Sequence, residues 1–313
     1  MKPEALVLAA LPDFLLEPLR AVAVCYDYWQ ANDAGKEALL TEAGPRIRGV
    51  VMAGGSVAPV EMLERLPALE IVSVFGVGYD GVPVDYCKQR GIRVTNTPDV
   101  LTDDVADIAV ALVLMTSRRL AAAERFVRNG EWMKGAFPLA HALRGKTAGI
   151  LGLGRIGKAI AERLGAHGMQ VAYHGRQAQA VEYQFCSSLK ELAEVADFLI
   201  VACPGGQGTR HLVDAEILSA LGPQGTLINI ARGSVVDEMA LVAALEAGNL
   251  RGAGLDVFEH EPVVPEALLK SERVVLLPHV GSGTQETRRE MARLCVGNVA
   301  AHFAGEPLLT PVV

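Results

Sequence analysis

The chain has 313 residues, half of them hydrophobic, which is enough for two domains of ordinary size with large buried cores. Its formal net charge of −7 argues against nucleic acid or an anionic membrane surface as a main partner, because both call for a basic face. Five widely spaced cysteines (25, 87, 186, 203 and 295), none in a Cys-x-x-Cys pair, suit a reducing cytosol and neither a disulfide framework nor a cysteine metal site.

The opening Met1-Lys2-Pro3-Glu4, with Pro12 and Asp13 breaking the apolar run behind it, does not read as a secretory signal. Short runs at Ala5–Ala9, Val22–Cys25, Arg48–Met52, Ile71–Phe75 and Ile92–Thr95 are apolar on both faces and predict strands of a parallel sheet. Helices are predicted over Pro59–Leu66 and Val84–Arg90. Two glycine-rich loops follow strands directly, Met52-Ala53-Gly54-Gly55 and Phe75-Gly76-Val77-Gly78-Tyr79-Asp80. Ligands of open α/β sheets bind at the carboxyl ends of strands, so both loops are candidates for a substrate rim, with a plain tight turn as the alternative.

Asn96-Thr97-Pro98-Asp99 reads as a turn, and Thr102-Asp103-Asp104 starts a long helix expected to reach about Arg128. The pair Arg118-Arg119 reads as a solvated helix face. The longest apolar run, Ile108 to Met115, is far short of the ~20 residues a membrane span needs. Residues 130–144 are irregular yet carry Trp132, Met133, Phe137 and His141, which suggests packing on something, such as a second subunit.

A second βα series begins at Lys146. Strands are expected at Thr147–Leu151, Met169–His174, Asp197–Cys203, Gly225–Ile230, Gly252–Val257 and Arg273–Leu277. Helices are expected at Ile156–His167, Ser188–Glu194, Asp214–Leu221 and Asp237–Ala247, with a final one from about Thr284 to Ala304. Its first strand enters Gly152-Leu153-Gly154-Arg155-Ile156-Gly157, a Gly-x-Gly-x-x-Gly turn. In a dinucleotide-binding turn the three glycines permit the bend, the approach of a pyrophosphate and close helix packing, while the helix offers its free N–H groups to the phosphates.

The second strand of such a unit tells one dinucleotide from the other. NAD-binding turns carry an Asp or Glu about 20 residues on, for the ribose hydroxyls. Here that place holds His174, Gly175, Arg176 and Gln177, and the next acid is Glu182. A guanidinium grips a 2′-phosphate that a carboxylate would repel, so NADP(H) is expected over NAD(H). The alternative is that Arg176 is only a surface arginine.

Three later segments also follow strands: Ile230-Ala231-Arg232-Gly233, Asp256-Val257-Phe258-Glu259-His260-Glu261-Pro262, and Pro278-His279-Val280-Gly281-Ser282. A cation, a carboxylate and an imidazole make up the inventory for reducing a keto acid. Taken singly, His279 reads as a core histidine and Glu261 as a solvated charge. His260-Glu261 lacks a spaced second histidine, so no metal is expected.

With these motifs in order, the whole chain resembles the D-isomer-specific 2-hydroxyacid dehydrogenases, and within them the NADPH-dependent hydroxyphenylpyruvate, hydroxypyruvate and glyoxylate reductases. Thr95 to Asp103 and Pro307-Leu308-Leu309-Thr310-Pro311 also look like that subgroup. The resemblance implies an α/β fold of two doubly wound parallel-sheet lobes. A Rossmann-type cofactor domain (99–280) is inserted into a flavodoxin-like substrate domain (1–98 and 281–313). It implies that His279 is the general acid/base, that Glu261 bonds its other nitrogen, and that Arg232 binds the substrate carboxylate and keto oxygen. Cofactor contacts are expected from Gly152, Gly154, Arg155, Ile156, Gly157, His174, Gly175, Arg176 and Gln177. Further ones are expected from Thr102, Cys203, Pro204, Thr209, Ile230, Ala231 and Asp256, the last near the nicotinamide carboxamide. Substrate contacts are expected from Met52, Ala53, Gly76, Val77, Gly78, Arg232, His279 and Ser282.

The expectation is therefore a cytoplasmic, homodimeric reductase of a small 2-oxo acid. Trp132 or Phe137 either reaches a neighbouring subunit's site or packs an interface. The alternatives are a phosphoglycerate- or formate-dehydrogenase-like member of the same superfamily and a dinucleotide-sensing corepressor.

Overall fold

The computed structural model describes residues 2–313. They divide into two units, one running up to Leu101 and resuming at Thr284–Val313, the other spanning Thr102–Gly283. In chain order the first unit supplies β1 (Glu4–Val7), α1 (Asp13–Val22), β2 (Val24–Asp27), α2 (Asp33–Glu42) and β3 (Ile47–Ala53), then α3 (Val60–Glu64), β4 (Ile71–Phe75), α4 (Val84–Gln89) and β5 (Arg93–Thr95). The second supplies α5 (Thr102–Arg118), α6 (Leu120–Arg128), β6 (Thr147–Leu151), α7 (Arg155–Ala166), β7 (Gln170–His174), β8 (Gln184–Phe185), α8 (Leu189–Val195) and β9 (Phe198–Val201). It continues with α9 (Ala215–Leu221), β10 (Thr226–Asn229), α10 (Glu238–Glu246), β11 (Gly252–Leu255), α11 (Glu266–Lys270) and β12 (Val274–Leu276). The chain then returns to the first unit with α12 (Gln285–Ala304).

Each unit is built on one parallel sheet. The first has the order β2-β1-β3-β4-β5, the flavodoxin-like arrangement. The second runs β12-β11-β10-β9-β6-β7-β8, the Rossmann order extended by one strand. Helices on both faces cover the central strands, and every residue of β4, β9, β10 and β11 is buried. That explains why their sequences are continuous apolar runs rather than alternating ones. The edge strand β8 has only two residues, which leaves little open ladder for another chain to pair with.

Several helices begin at side-chain caps. Ser188, Asp214 and Asp237 accept N–H groups of α8, α9 and α10, and Thr284 does the same for α12.

The single helix expected from Thr102 to Arg128 is two helices. Thr116 Oγ1 donates back to the carbonyls of Leu112 (2.7 Å) and Val113 (3.1 Å), a bond that bends helices. Arg119 then adopts a left-handed conformation, φ +53°. α5 buries seven side chains and α6 none, so no packing holds the two in line. Arg118 and Arg119 are both exposed, as a solvated pair should be, although Arg119 lies at the break rather than on a helix face and its guanidinium sits over the Phe137 ring at 5.3 Å.

Candidate active site

All strands of the second sheet point one way, so the loops at their carboxyl ends gather on one edge. The glycine turn leaves β6. Gly152 has φ +98°, and a Cβ there would lie 2.8 Å from the Cys203 backbone. A Cβ on Gly157 would come within 2.2 Å of the Gly152 carbonyl, whereas one on Gly154 would meet no protein atom within 4 Å. The turn is thus closed toward the protein and open at its middle glycine. That glycine is also the N-cap of α7, so no capping side chain bonds the first amides of the helix, and Arg155 and Ile156 form its first turn. This cradle fits a pyrophosphate. On the next loop Thr209 Oγ1 donates to the Pro204 carbonyl (2.8 Å) and closes it, while burial pushes the Cys203 thiol up to about 11, which keeps it neutral.

At the end of β7, Arg176 and Gln177 are exposed and Gly175 is half-buried. His174 is committed to its own unit: Nδ1 lies 3.0 Å from the Cys186 carbonyl, and the ring stacks on Phe185. A carbonyl can only accept, so Nδ1 carries the hydrogen. Thr102 begins α5, and Ile230 and Ala231 follow β10.

The imidazole and carboxylate meet where β11 and β12 end. His279 Nδ1 lies 2.7 Å from Glu261 Oε2, and the other Glu261 oxygen accepts the Phe258 N–H at 3.0 Å. Burial pushes Glu261 up, but the His279 bond and charge, the Phe258 N–H and the Arg232 charge together outweigh it and hold the carboxyl below its ordinary 4.5. The two side chains keep 40% and 35% of their surface accessible, so a small molecule can reach them. His279 sits at φ +53°, a conformation that non-glycine residues keep only when their surroundings enforce it.

The enforcement comes from Asp256, which is 1% exposed. Its carboxylate accepts the N–H groups of Val280 (2.7 Å) and Gly281 (2.8 Å), and its carbonyl accepts that of His279 (2.8 Å). Burial nevertheless raises its pKa above the ordinary 3.8, against those two bonds and the His279 charge. Arg232 is held likewise. The buried Asn229 donates to the Arg232 carbonyl (3.0 Å) and accepts the Ala231 N–H (3.1 Å). Gly233 packs so tightly that a Cβ would fall 1.9 Å from the Phe258 carbonyl carbon. Glu259, between that contact and Glu261, accepts from His211 Nε2 (2.7 Å) and Arg210 (2.8 Å) while its N–H donates to Glu238 (3.2 Å). Asn229, Glu238, His211 and Glu259 have no counterpart among the sequence-derived candidates. Only Asn229 carried a signal, as a polar residue closing an apolar strand just ahead of Arg232. Ser282 is half-buried, three residues beyond His279.

In the first unit the two candidate loops touch each other. The Gly54 N–H donates to the Phe75 carbonyl (3.1 Å), and Asn96 Nδ2 and the Thr97 N–H fix the carbonyls of Val77 (2.8 Å) and Gly76 (2.9 Å). Met52 is 1% exposed and belongs to the core, so Ala53, half-buried, is the one nearer the loop surface. Gly76, Val77 and Gly78 are half-buried.

A parallel seven-stranded sheet with a glycine turn after its first strand, and an imidazole–carboxylate pair at later strand ends, defines a nicotinamide-dinucleotide oxidoreductase of the doubly wound class. Comparison with known proteins narrows this. Residues 110–281 match the model of the D-isomer specific 2-hydroxyacid dehydrogenase, NAD binding domain. A hydroxyphenylpyruvate reductase of Plectranthus scutellarioides is 49% identical over 309 residues, covering 98% of both chains. A glyoxylate/hydroxypyruvate reductase A of Arabidopsis thaliana is 51% identical over 91% of both chains. Among solved structures, an NADPH-dependent glyoxylate/hydroxypyruvate reductase of Sinorhizobium meliloti, in complex with NADP and malonate, superposes with a TM-score of 0.91 at 45% identity, over 100% of this chain and 97% of its own. The chain belongs to the D-isomer specific 2-hydroxyacid dehydrogenase family.

Proposed function

We propose that the protein reduces a small 2-oxo acid, of the glyoxylate, hydroxypyruvate or hydroxyphenylpyruvate type, to the D-2-hydroxy acid, with NADP(H) preferred over NAD(H). The reaction is carried by the 2.7 Å pair of His279 with Glu261. A carboxylate only accepts, so Nδ1 of His279 carries a hydrogen toward Glu261 and Nε2 is left to face the substrate. Nε2 then donates the proton to the carbonyl oxygen, and the ring it leaves behind stays oriented by Glu261. Arg232 pairs with the substrate carboxylate and steadies the negative charge that grows on the oxygen. The Gly152–Gly157 turn would hold a nicotinamide dinucleotide, which when bound would supply the hydride. In the first unit, Gly76-Val77-Gly78 offers backbone N–H groups suited to a carboxylate.

The coenzyme preference rests on Arg176, exposed in a segment, 170–179, that contains no acid. A charged hydrogen bond to a 2′-phosphate is worth about 1.5–3 kcal/mol, roughly tenfold or more in affinity.

Oxidation of NADPH with a panel of glyoxylate, hydroxypyruvate, phenylpyruvate and 2-ketogluconate tests the activity. Turnover on at least one is expected, and none at all would leave a dinucleotide-binding module rather than an enzyme. In the same assay Arg176→Ala should cut the preference for NADPH over NADH at least tenfold, and an unchanged preference would remove the NADP assignment.

A homodimer is supported by the apolar surface on residues 120–139, where Leu120, Val127, Trp132, Met133 and Leu139 are between 45% and 99% exposed. Phe137 instead packs edge-on against Phe126 of its own chain, at 5.3 Å. Sedimentation of a Met133→Asp variant tests this, with dissociation expected. The five free cysteines suit a reducing compartment, in line with a cytoplasmic location.

A further inference from the structure

The segment after β7 is exposed, yet its far end is fastened. Gln179 Nε2 donates to the Leu153 carbonyl at 2.9 Å. Leu153 is the residue between Gly152 and Gly154, so this bond runs straight into the glycine turn. The acceptor is a carbonyl, so only the amide nitrogen of Gln179 can face it. A second anchor is the backbone of the same residue, where the Gln179 N–H donates to the hydroxyl of Tyr173 at 2.7 Å. Tyr173 is 1% exposed and its ring packs on Phe185, so that hydroxyl is a fixed point. The near end is fastened as well, by the Gly152 N–H on the His174 carbonyl at 2.9 Å. Residues 175–178 therefore form a short arch with both feet tied down and Arg176 on its span.

We propose that Gln179 is a positioning residue for coenzyme selection, the strut that holds Arg176 at a set distance from the glycine turn. This rests on the reading of Arg176 as the 2′-phosphate ligand. The physical reason is the coenzyme's covalent geometry. The pyrophosphate and the 2′-phosphate hang from the same ribose, so their separation is fixed by one sugar ring. A protein that reads both must hold its two anion loops at the matching separation before the ligand arrives, or use part of its affinity in ordering them. NAD(H) makes no demand on the second loop.

Calorimetric titration tests this without turnover. The ligands are NADPH and NADH, with adenosine 2′,5′-bisphosphate and 5′-AMP as fragment probes. Gln179→Met keeps the length and removes the donor. It should weaken NADPH and the bisphosphate by roughly fivefold, the size of one neutral hydrogen bond. Binding of NADH and 5′-AMP should stay as it is, and the melting temperature should fall by no more than a few degrees. Tyr173→Phe, which deletes the other anchor, should move the same two ligands in the same direction. Because Gln179 acts through Arg176, the double variant Arg176→Ala/Gln179→Met should bind NADPH no more weakly than Arg176→Ala alone. Equal weakening of all four ligands, additivity in the double variant, or no change in Gln179→Met while Arg176→Ala loses the preference would each overturn the strut alone. An unchanged preference in Arg176→Ala would overturn the 2′-phosphate reading and the strut with it.

Discussion

The two sheets share a design and differ in what they hang from it. In the first unit the loops that leave β3, β4 and β5 begin Gly54-Gly55-Ser56, Gly76-Val77-Gly78 and Asn96-Thr97-Pro98, with no charged residue among them. In the second, the loops after β10, β11 and β12 deliver Arg232, Asp256 and His279, and the one after β7 delivers Arg176. One sheet edge offers backbone shape, and the other offers charge and a proton. On the proposed reaction the second edge carries the chemistry, and its Arg232 pairs with the substrate carboxylate as well. Backbone N–H groups bind a carboxylate equally well in substrate and transition state, while a proton donor and a guanidinium act where charge is changing.

The sharpest way to break that contrast is His279→Ala. Turnover should fall by roughly 10²–10⁴-fold, the usual worth of a positioned acid, with NADPH affinity unchanged by calorimetry. Near-normal turnover would mean that the proton comes from elsewhere. Gly76→Ala probes the other edge, where a Cβ would lie 2.9 Å from the Gly54 Cα and force the two loops apart. KM for the 2-oxo acid should rise about tenfold while kcat holds, since uniform binding is what would be lost. A fall in kcat like that of His279→Ala would erase the distinction between the two edges.

Asn229→Ala sharpens the picture by leaving every charge in place. Two bonds to the Arg232 turn disappear, at about 1 kcal/mol each, so the melting temperature should drop by several degrees. A substrate KM that rises with it would show that the turn, and not only the guanidinium, is tuned. The smallest effect is that of pH. Glu261 is held below 4.5 in the folded chain, so its contribution to stability is complete above that pH and is lost as the pH falls through the lowered value. Melting curves of Glu261→Gln taken on either side of 4.5 should therefore run closer together than those of the wild type. Equal separation would mean that the Glu261 charge contributes nothing to stability.

Much of this architecture is legible in the residues themselves. Alternating apolar runs and helical spacing predict both parallel sheets, and the glycine turn marks where the second begins. α1 is hidden by Pro18 inside it, and α2 by weak amphipathic contrast. The break between α5 and α6 has no letter to announce it, because arginine is an ordinary helix former and only the back-bonding Thr116 gives a reason. The candidate site divides the same way. Arg232, Glu261 and His279 are visible because their chemistry resides in side chains at strand ends. The roles of Asn229, Asp256 and Gln179 in the fold are not, because each addresses a backbone carbonyl or N–H, and the main chain looks the same under every residue. Asp256 is the instructive case. It belongs to a recognisable motif, yet both of its carboxylate oxygens are taken up by the loop that carries His279.

The contact of Gly233 with the Phe258 carbonyl has a practical consequence for redesign. It leaves no room for even a methyl group between the turn that carries Arg232 and the segment that leads to Glu261. Those two stretches are distant in the chain but cannot be exchanged one at a time. A graft that brings in a new arginine turn from a relative, without the matching Phe258–Glu261 segment, would set two backbones from different lineages against each other at a joint with no slack. The unit of transfer between such proteins is the pair.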